Sequence, residues 1–224
     1  MKTFEKKLFS EFLATFLFVA IGCGTALFAM PFVSYTGVAL TFGLAMITLY
    51  AIFEKASGCH INPAVSFGFF MAKKIDFKTF LSYALAQLIG GLAAAGILLL
   101  VFKSLLHCGA LETFVTNGYG TLSPGHFGFW GCTLVEVLAT FMLVMVYLTR
   151  ASDKNTPIAT FGAVVVAAHF FSLPVTGASL NPARSFGVAV IEGGVALQQV
   201  WFFFVMPMIG AYLASLLHKM INKK

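Results

Sequence analysis

Two stretches of this chain carry one pattern. Gly58-Cys59-His60-Ile61-Asn62-Pro63-Ala64-Val65-Ser66-Phe67-Gly68 is matched by Gly177-Ala178-Ser179-Leu180-Asn181-Pro182-Ala183-Arg184-Ser185-Phe186-Gly187, with Gly, Asn-Pro-Ala and Ser-Phe-Gly in register. A duplicated unit constrains the fold more than any single motif. In each copy Asn precedes Pro, and Pro suits a first helical turn, where its missing N–H is not needed. Each Asn therefore marks a helix N-terminus. The apolar stretches that follow, 63–72 and 182–191, are short. At 1.5 Å per residue each gives about 15 Å of helix, half of a hydrocarbon core about 30 Å thick. Two such half-helices meeting at their Asn ends would cross a bilayer together.

The composition independently demands a bilayer. With 59% hydrophobic residues, 10% charged and a mean hydropathy of +0.93, too much apolar surface exists for a soluble domain of this length to hide. Long apolar stretches at 8–30, 35–53, 80–102, 127–149, 157–173 and 200–217 are read as spanning helices, the fifth being the shortest. The first is too long for a signal-peptide core and lacks a small-residue cleavage pattern, so it stays as a span. The expected fold class is an all-α membrane protein, six transmembrane helices plus two re-entrant half-helices, in a single channel domain over 1–224.

Lys and Arg orient it. Lys2, Lys6, Lys7, Lys55, Lys73, Lys74, Lys78, Arg150, Lys154, Lys219, Lys223 and Lys224 fall on one side by parity, whereas the other side receives Lys103 and Arg184. The positive-inside rule then puts both termini in the cytoplasm. The net charge of +6 is accounted for by this topological signal, with no nucleic acid as partner. Cys23, Cys59, Cys108 and Cys132 lack CxxC spacing, so neither a metal site nor a disulfide is expected, although Cys108 in an outer loop is open to oxidation.

The repeat extends beyond the half-helices. Glu11-Phe12-Leu13-Ala14-Thr15-Phe16 matches Glu136-Val137-Leu138-Ala139-Thr140-Phe141, and Gln87-Leu88-Ile89-Gly90 matches Pro207-Met208-Ile209-Gly210. Each half, about 8–102 and 127–217, thus holds an odd number of spans, and the second enters the membrane inverted relative to the first. Irregular backbone at membrane depth is tolerated only beside protein or a water-filled cavity. A polar path should therefore run past the two loops, with extended residues before each Asn supplying carbonyl acceptors, Asn62 and Asn181 supplying amide donors, and both positive helix ends disfavouring cations.

Paired Asn-Pro-Ala motifs, Arg184-Ser185-Phe186-Gly187 after the second, and a Glu in spans one and four make the chain resemble the aquaporins, or major intrinsic proteins, from Glu11 to about Leu213. The resemblance implies a passive channel with no cofactor and no catalysis, a homotetramer with one pore per subunit, and a bacterial inner membrane location. It places the narrow ring on Phe42, His169, Ala178 and Arg184. Phe, His and Arg together resemble the water-selective bacterial type, as do Ser185 after the Arg, Ala189 and Phe203-Phe204 before Pro207. Ala178 departs from the Thr or Cys often found there, and Phe204 from a common Trp.

Other readings of these residues are weighed alongside. His169 alone would be a core histidine bonded to a carbonyl, and Phe42 alone would be filler, but Arg184 opposite Val65 in the repeat is an asymmetry that packing does not require. Glu11 and Glu136 are read as acceptors for loop N–H groups rather than as a proton relay. His60 is read as a loop brace facing the pore rather than a pH gate. A facilitator that also passes glycerol, ammonia or hydrogen peroxide stays open. An ion-coupled transporter would need coupling ligands where this chain has neutral Asn62 and Asn181, and a junctional protein would need interaction segments.

Overall fold

The computed structural model describes residues 3–105 and 114–222. Cys108, Lys2, Lys223 and Lys224 lie outside the described residues. The helices are α1 (Thr3–Phe28), α2 (Met30–Ser57), α3 (Pro63–Met71), α4 (Phe77–Lys103), α5 (Phe129–Ser152), α6 (Ala159–Thr176), α7 (Pro182–Glu192), α8 (Gly194–Gln199) and α9 (Phe202–Ile221). Among the described residues, six helical stretches are long and apolar enough to cross a membrane, with α8 and α9 together forming the sixth. Their outward faces carry exposed Leu44, Ile52, Leu85, Leu134 and Trp130, a surface suited to lipid.

The expected spans all occur, with shifted ends. The first two nearly touch: α2 begins at Met30, straight after Ala29, and its helical geometry breaks at Ser34 (φ 55°, ψ −173°) rather than at an open loop over 31–34. The half-helices end within a residue of expectation. Each starts as its sequence dictates, because Asn62 and Asn181 are extended, their Oδ1 atoms accept from the N–H groups of Ala64 (2.8 Å) and Ala183 (3.0 Å), and Pro follows.

Packing follows the duplication. In the first half α1 lies against α2 and α4, and in the second α5 lies against α6 and α9. The halves meet where α2 crosses α6. There Gly43 and Gly162 face each other, and a Cβ on either would stand 2.9 Å from the other's carbonyl oxygen. Gly90 sits against the backbone of Phe12 and Phe16, and its counterpart Gly210 against that of Val137 and Phe141. Such backbone proximity is what small residues allow between apolar helices. The half-helices cross over: α3 packs on α9 and α7 on α4, so each is seated on the last long helix of the other half.

Candidate functional site

The re-entrant loops begin with Gly58 and Gly177, which end α2 and α6 in the left-handed conformation (φ 95° and 73°). The expectation of a simply extended run before each Asn is corrected here. Cys59 (φ 51°), Ile61 (47°), Ala178 (53°) and Leu180 (52°) also take positive φ, a conformation that costs most for β-branched Ile61. It persists because the surroundings hold it.

The holding groups are the two buried glutamates. Glu11 accepts from His60 N (3.0 Å), Ile61 N (2.7 Å), Ser57 Oγ (2.6 Å) and Gln87 Nε2 (2.8 Å). Glu136 accepts from Ser179 N (3.0 Å), Leu180 N (2.9 Å) and Thr176 Oγ1 (2.6 Å). The loop N–H groups would otherwise be buried without partners. Gln87 is a brace that the sequence left unread, and its signal was available: a Gln in an apolar span must bond to something. In the second half Pro207 takes its place.

Where the half-helices meet, Asn62 Nδ2 donates to the Leu180 carbonyl (2.7 Å) and Asn181 Nδ2 to the Ile61 carbonyl (2.9 Å). The amides are thus not devoted wholly to a path, since one N–H of each ties the two loops together. An amide carries two N–H groups, which leaves a second donor on each Asn. His60 Nδ1 lies 3.1 Å from Ser66 Oγ, and its ring packs 4.2 Å from that of Phe69.

A passage runs beside these groups, lined by Phe42, His169 and Arg184 towards one end, Asn62 and Asn181 in the middle and His60 and Tyr147 towards the other. It holds only about 10 Å³ open to a water, roughly one molecule's worth. At the Arg184 end it meets a vestibule of about 540 Å³ bordered by Tyr35, Thr116, His126 and Gly177. The Phe42 and His169 rings stack with centroids 4.3 Å apart. Gly22 leaves the room for Phe42, because a Cβ there would strike its ring. Ala178 is buried behind the passage rather than among its lining residues.

His169 Nδ1 lies 2.8 Å from the Val165 carbonyl and so carries the proton, which leaves Nε2 as an acceptor in the neutral ring. The passage therefore has an acceptor on His169 beside the donors of Arg184. Arg184 is anchored on the Asn117 Oδ1 and on the Gly177 carbonyl (3.2 Å), and Asn117 also accepts from Ser185 Oγ (2.6 Å). Nothing in the sequence marks Asn117, whose role depends on its loop folding back over the vestibule. Arg184 is only 3% exposed, yet its Nε has no hydrogen-bond partner among the described residues.

Relatives of known kind share this architecture. The chain is 35% identical to an aquaporin Z of Rhodopseudomonas palustris over 96% of its length and 93% of that protein. It is 34% identical to an aquaporin Z of Bradyrhizobium diazoefficiens over 98% and 94%. Among solved structures it superposes on an aquaglyceroporin from Plasmodium falciparum with a TM-score of 0.82 at 21% identity, covering 98% and 97% of the two chains, which speaks for the fold. The family model for the major intrinsic proteins matches residues 1–218. With its six apolar helices and paired half-helices, this chain belongs to the major intrinsic protein family, the multi-pass membrane channels that include the aquaporins.

Proposed function

We propose that the protein is a passive, water-selective channel. The observation that carries this reading is the stack of Phe42 on His169 at 4.3 Å, beside buried Arg184 in a passage with room for about 10 Å³. An acceptor on His169 and the guanidinium donors of Arg184, both lining the passage, give a single water both kinds of bond, while a polyol would have to shed hydration against a wall too narrow for its carbons. The ring of Phe42, His169 and Arg184, with Ala178 buried beside it, then acts as the sieve. At the centre, the spare N–H groups of Asn62 and Asn181 hold water as an acceptor. The positive N-terminal ends of α3 and α7, with Arg184, disfavour cations and protons.

The same reading makes the chain one channel domain of inverted repeats, 8–102 and 127–217, assembled as a homotetramer in a bacterial inner membrane. Both termini are cytoplasmic and the vestibule faces outward. Flow follows the osmotic gradient, without catalysis or a cofactor.

Stopped-flow light scattering on proteoliposomes tests the sieve under osmotic and glycerol gradients. Wild type should pass water and little glycerol. His169→Gly should keep water flow and raise glycerol flow about tenfold, as expected when a narrow polar edge is removed. High wild-type glycerol flow, unchanged in His169→Gly, would replace this reading with that of a general small-solute facilitator.

A further inference from the structure

The repeat carries one more match. Thr41-Phe42-Gly43 in α2 corresponds to Thr160-Phe161-Gly162 in α6, so Phe161 is the inner counterpart of Phe42. Counting on along the same helices makes Tyr50 the counterpart of His169. Tyr147 follows Glu136 at the distance at which Gly22 follows Glu11. The inner half of the passage is thus an inverted image of the outer ring, in which Val65 stands for Arg184 and Tyr50 for His169, with a further large difference. Where Gly22 leaves space, Tyr147 fills it.

The rings close on one another. Tyr50 stacks on Phe161 with centroids 3.8 Å apart, and Phe161 meets Tyr147 edge-on at 4.7 Å. Tyr147 is 1% exposed although it borders the passage. Its hydroxyl donates to the Cys59 carbonyl (2.9 Å) and reaches the His60 carbonyl at 3.4 Å. These carbonyls belong to the re-entrant loop, whose oxygens are the natural acceptors for a file of water. Below the rings, Arg150 Nη2 (3.1 Å) and Nε (3.2 Å) form a fork on the Glu54 carboxylate and hold the ends of α5 and α2 together. Arg150 follows Tyr147, and Glu54 follows Tyr50, at helical spacing.

We propose that the passage has a further constriction at its inner end, where Tyr147, lining it beside His60, sets the rate and sharpens the selectivity of flow while its hydroxyl is held on the re-entrant loop's carbonyls. The proposal rests on the water-channel reading. A barrier at Tyr147 lies in series with the Phe42–His169 ring, and flow through two barriers in series is limited by the higher one. Water can exchange with the hydroxyl's bond to the loop, whereas a bulkier solute must also shift the Tyr147 ring, which Tyr50 and Phe161 hold in place from outside the lining.

The test uses full-length protein in liposomes, with flow normalised to inserted protein. Tyr147→Phe keeps the ring and removes the hydroxyl, and should raise unit water flow about threefold, the scale of one lost hydrogen bond. Tyr147→Leu should raise it further while glycerol stays low, because the outer ring is intact. His169→Gly with Tyr147→Leu should pass more glycerol than the two single variants together. Wild-type water flow in both Tyr147 variants would overturn the constriction, and Tyr147→Phe decides alone if Tyr147→Leu does not insert. Water flow at the bare-liposome rate in wild type and in both variants would instead overturn the water reading, and this proposal with it.

Discussion

At the residue scale, the asymmetry between Arg184 and its counterpart Val65 isolates what one charge does. Both sit early in a half-helix, both are buried and both line the passage. Arg184→Val should therefore leave a foldable helix start and remove the charge. Leak of protons, read with a pH-sensitive dye inside liposomes, should rise about tenfold, equivalent to about 1.4 kcal/mol of barrier. The opposed ends of α3 and α7 would keep most of the exclusion. A leak equal to wild type would mean that Arg184 serves only to anchor Asn117 and Gly177. Arg184 was legible because it breaks a repeat, and Asn62 and Asn181 because they make one. The left-handed Cys59 and Ile61 were not. Neither residue type favours positive φ, and the conformation is imposed by Glu11 from a helix remote in sequence.

Elements were easier to foresee than the way they touch. Asn-Pro fixed where α3 and α7 start, whereas the break at Ser34 has no Pro or Gly of its own to announce it. Close packing of α7 on α4 hangs on Gly91 and Gly187: a Cβ at Gly187 would stand 3.0 Å from Leu92 N, with the Gly91 backbone nearer still. Backbone cannot swing aside as a side chain can. Gly187→Ala should thus push α7 outward, at a cost of about 1–3 kcal/mol for overpacking. It should lower the thermal midpoint in detergent and reduce water flow, since Arg184 rides on the same helix. Gly96→Ala, with open space where its Cβ would go, should hold or raise the midpoint through helix propensity. Equal midpoints for the two variants would remove the case for a tight α4–α7 contact.

For the whole molecule, hydropathy alone revealed the six spans, but not that the half-helices exchange partners. The contact of α3 with α9 joins segments far apart in sequence, and uniformly apolar faces do not say which neighbour they prefer. The exchange is closed by two reciprocal bonds, Asn62 to Leu180 and Asn181 to Ile61. Asn62→Asp and Asn181→Asp should accordingly do similar damage. Each removes a donor from a buried carbonyl and sets a carboxylate against it, at a cost of about 3 kcal/mol or more. Matched losses of thermal stability and of water flow are expected. Full stability in one variant and collapse in the other would show that the two ties are not equivalent.

The crossed seating of the half-helices also sets an order of events during synthesis. A chain made from its N-terminus presents residues 58–71 long before α9, the helix on which α3 rests, has left the ribosome. Until then the first re-entrant segment has only part of its seat, formed by α4 and α5 and by the Glu11 bonds to its loop. Its last contact forms only when nearly the whole chain is in the bilayer. A truncated product lacking α9 is therefore left with one face of α3 uncovered, a mark by which quality control can tell an unfinished channel from a finished one.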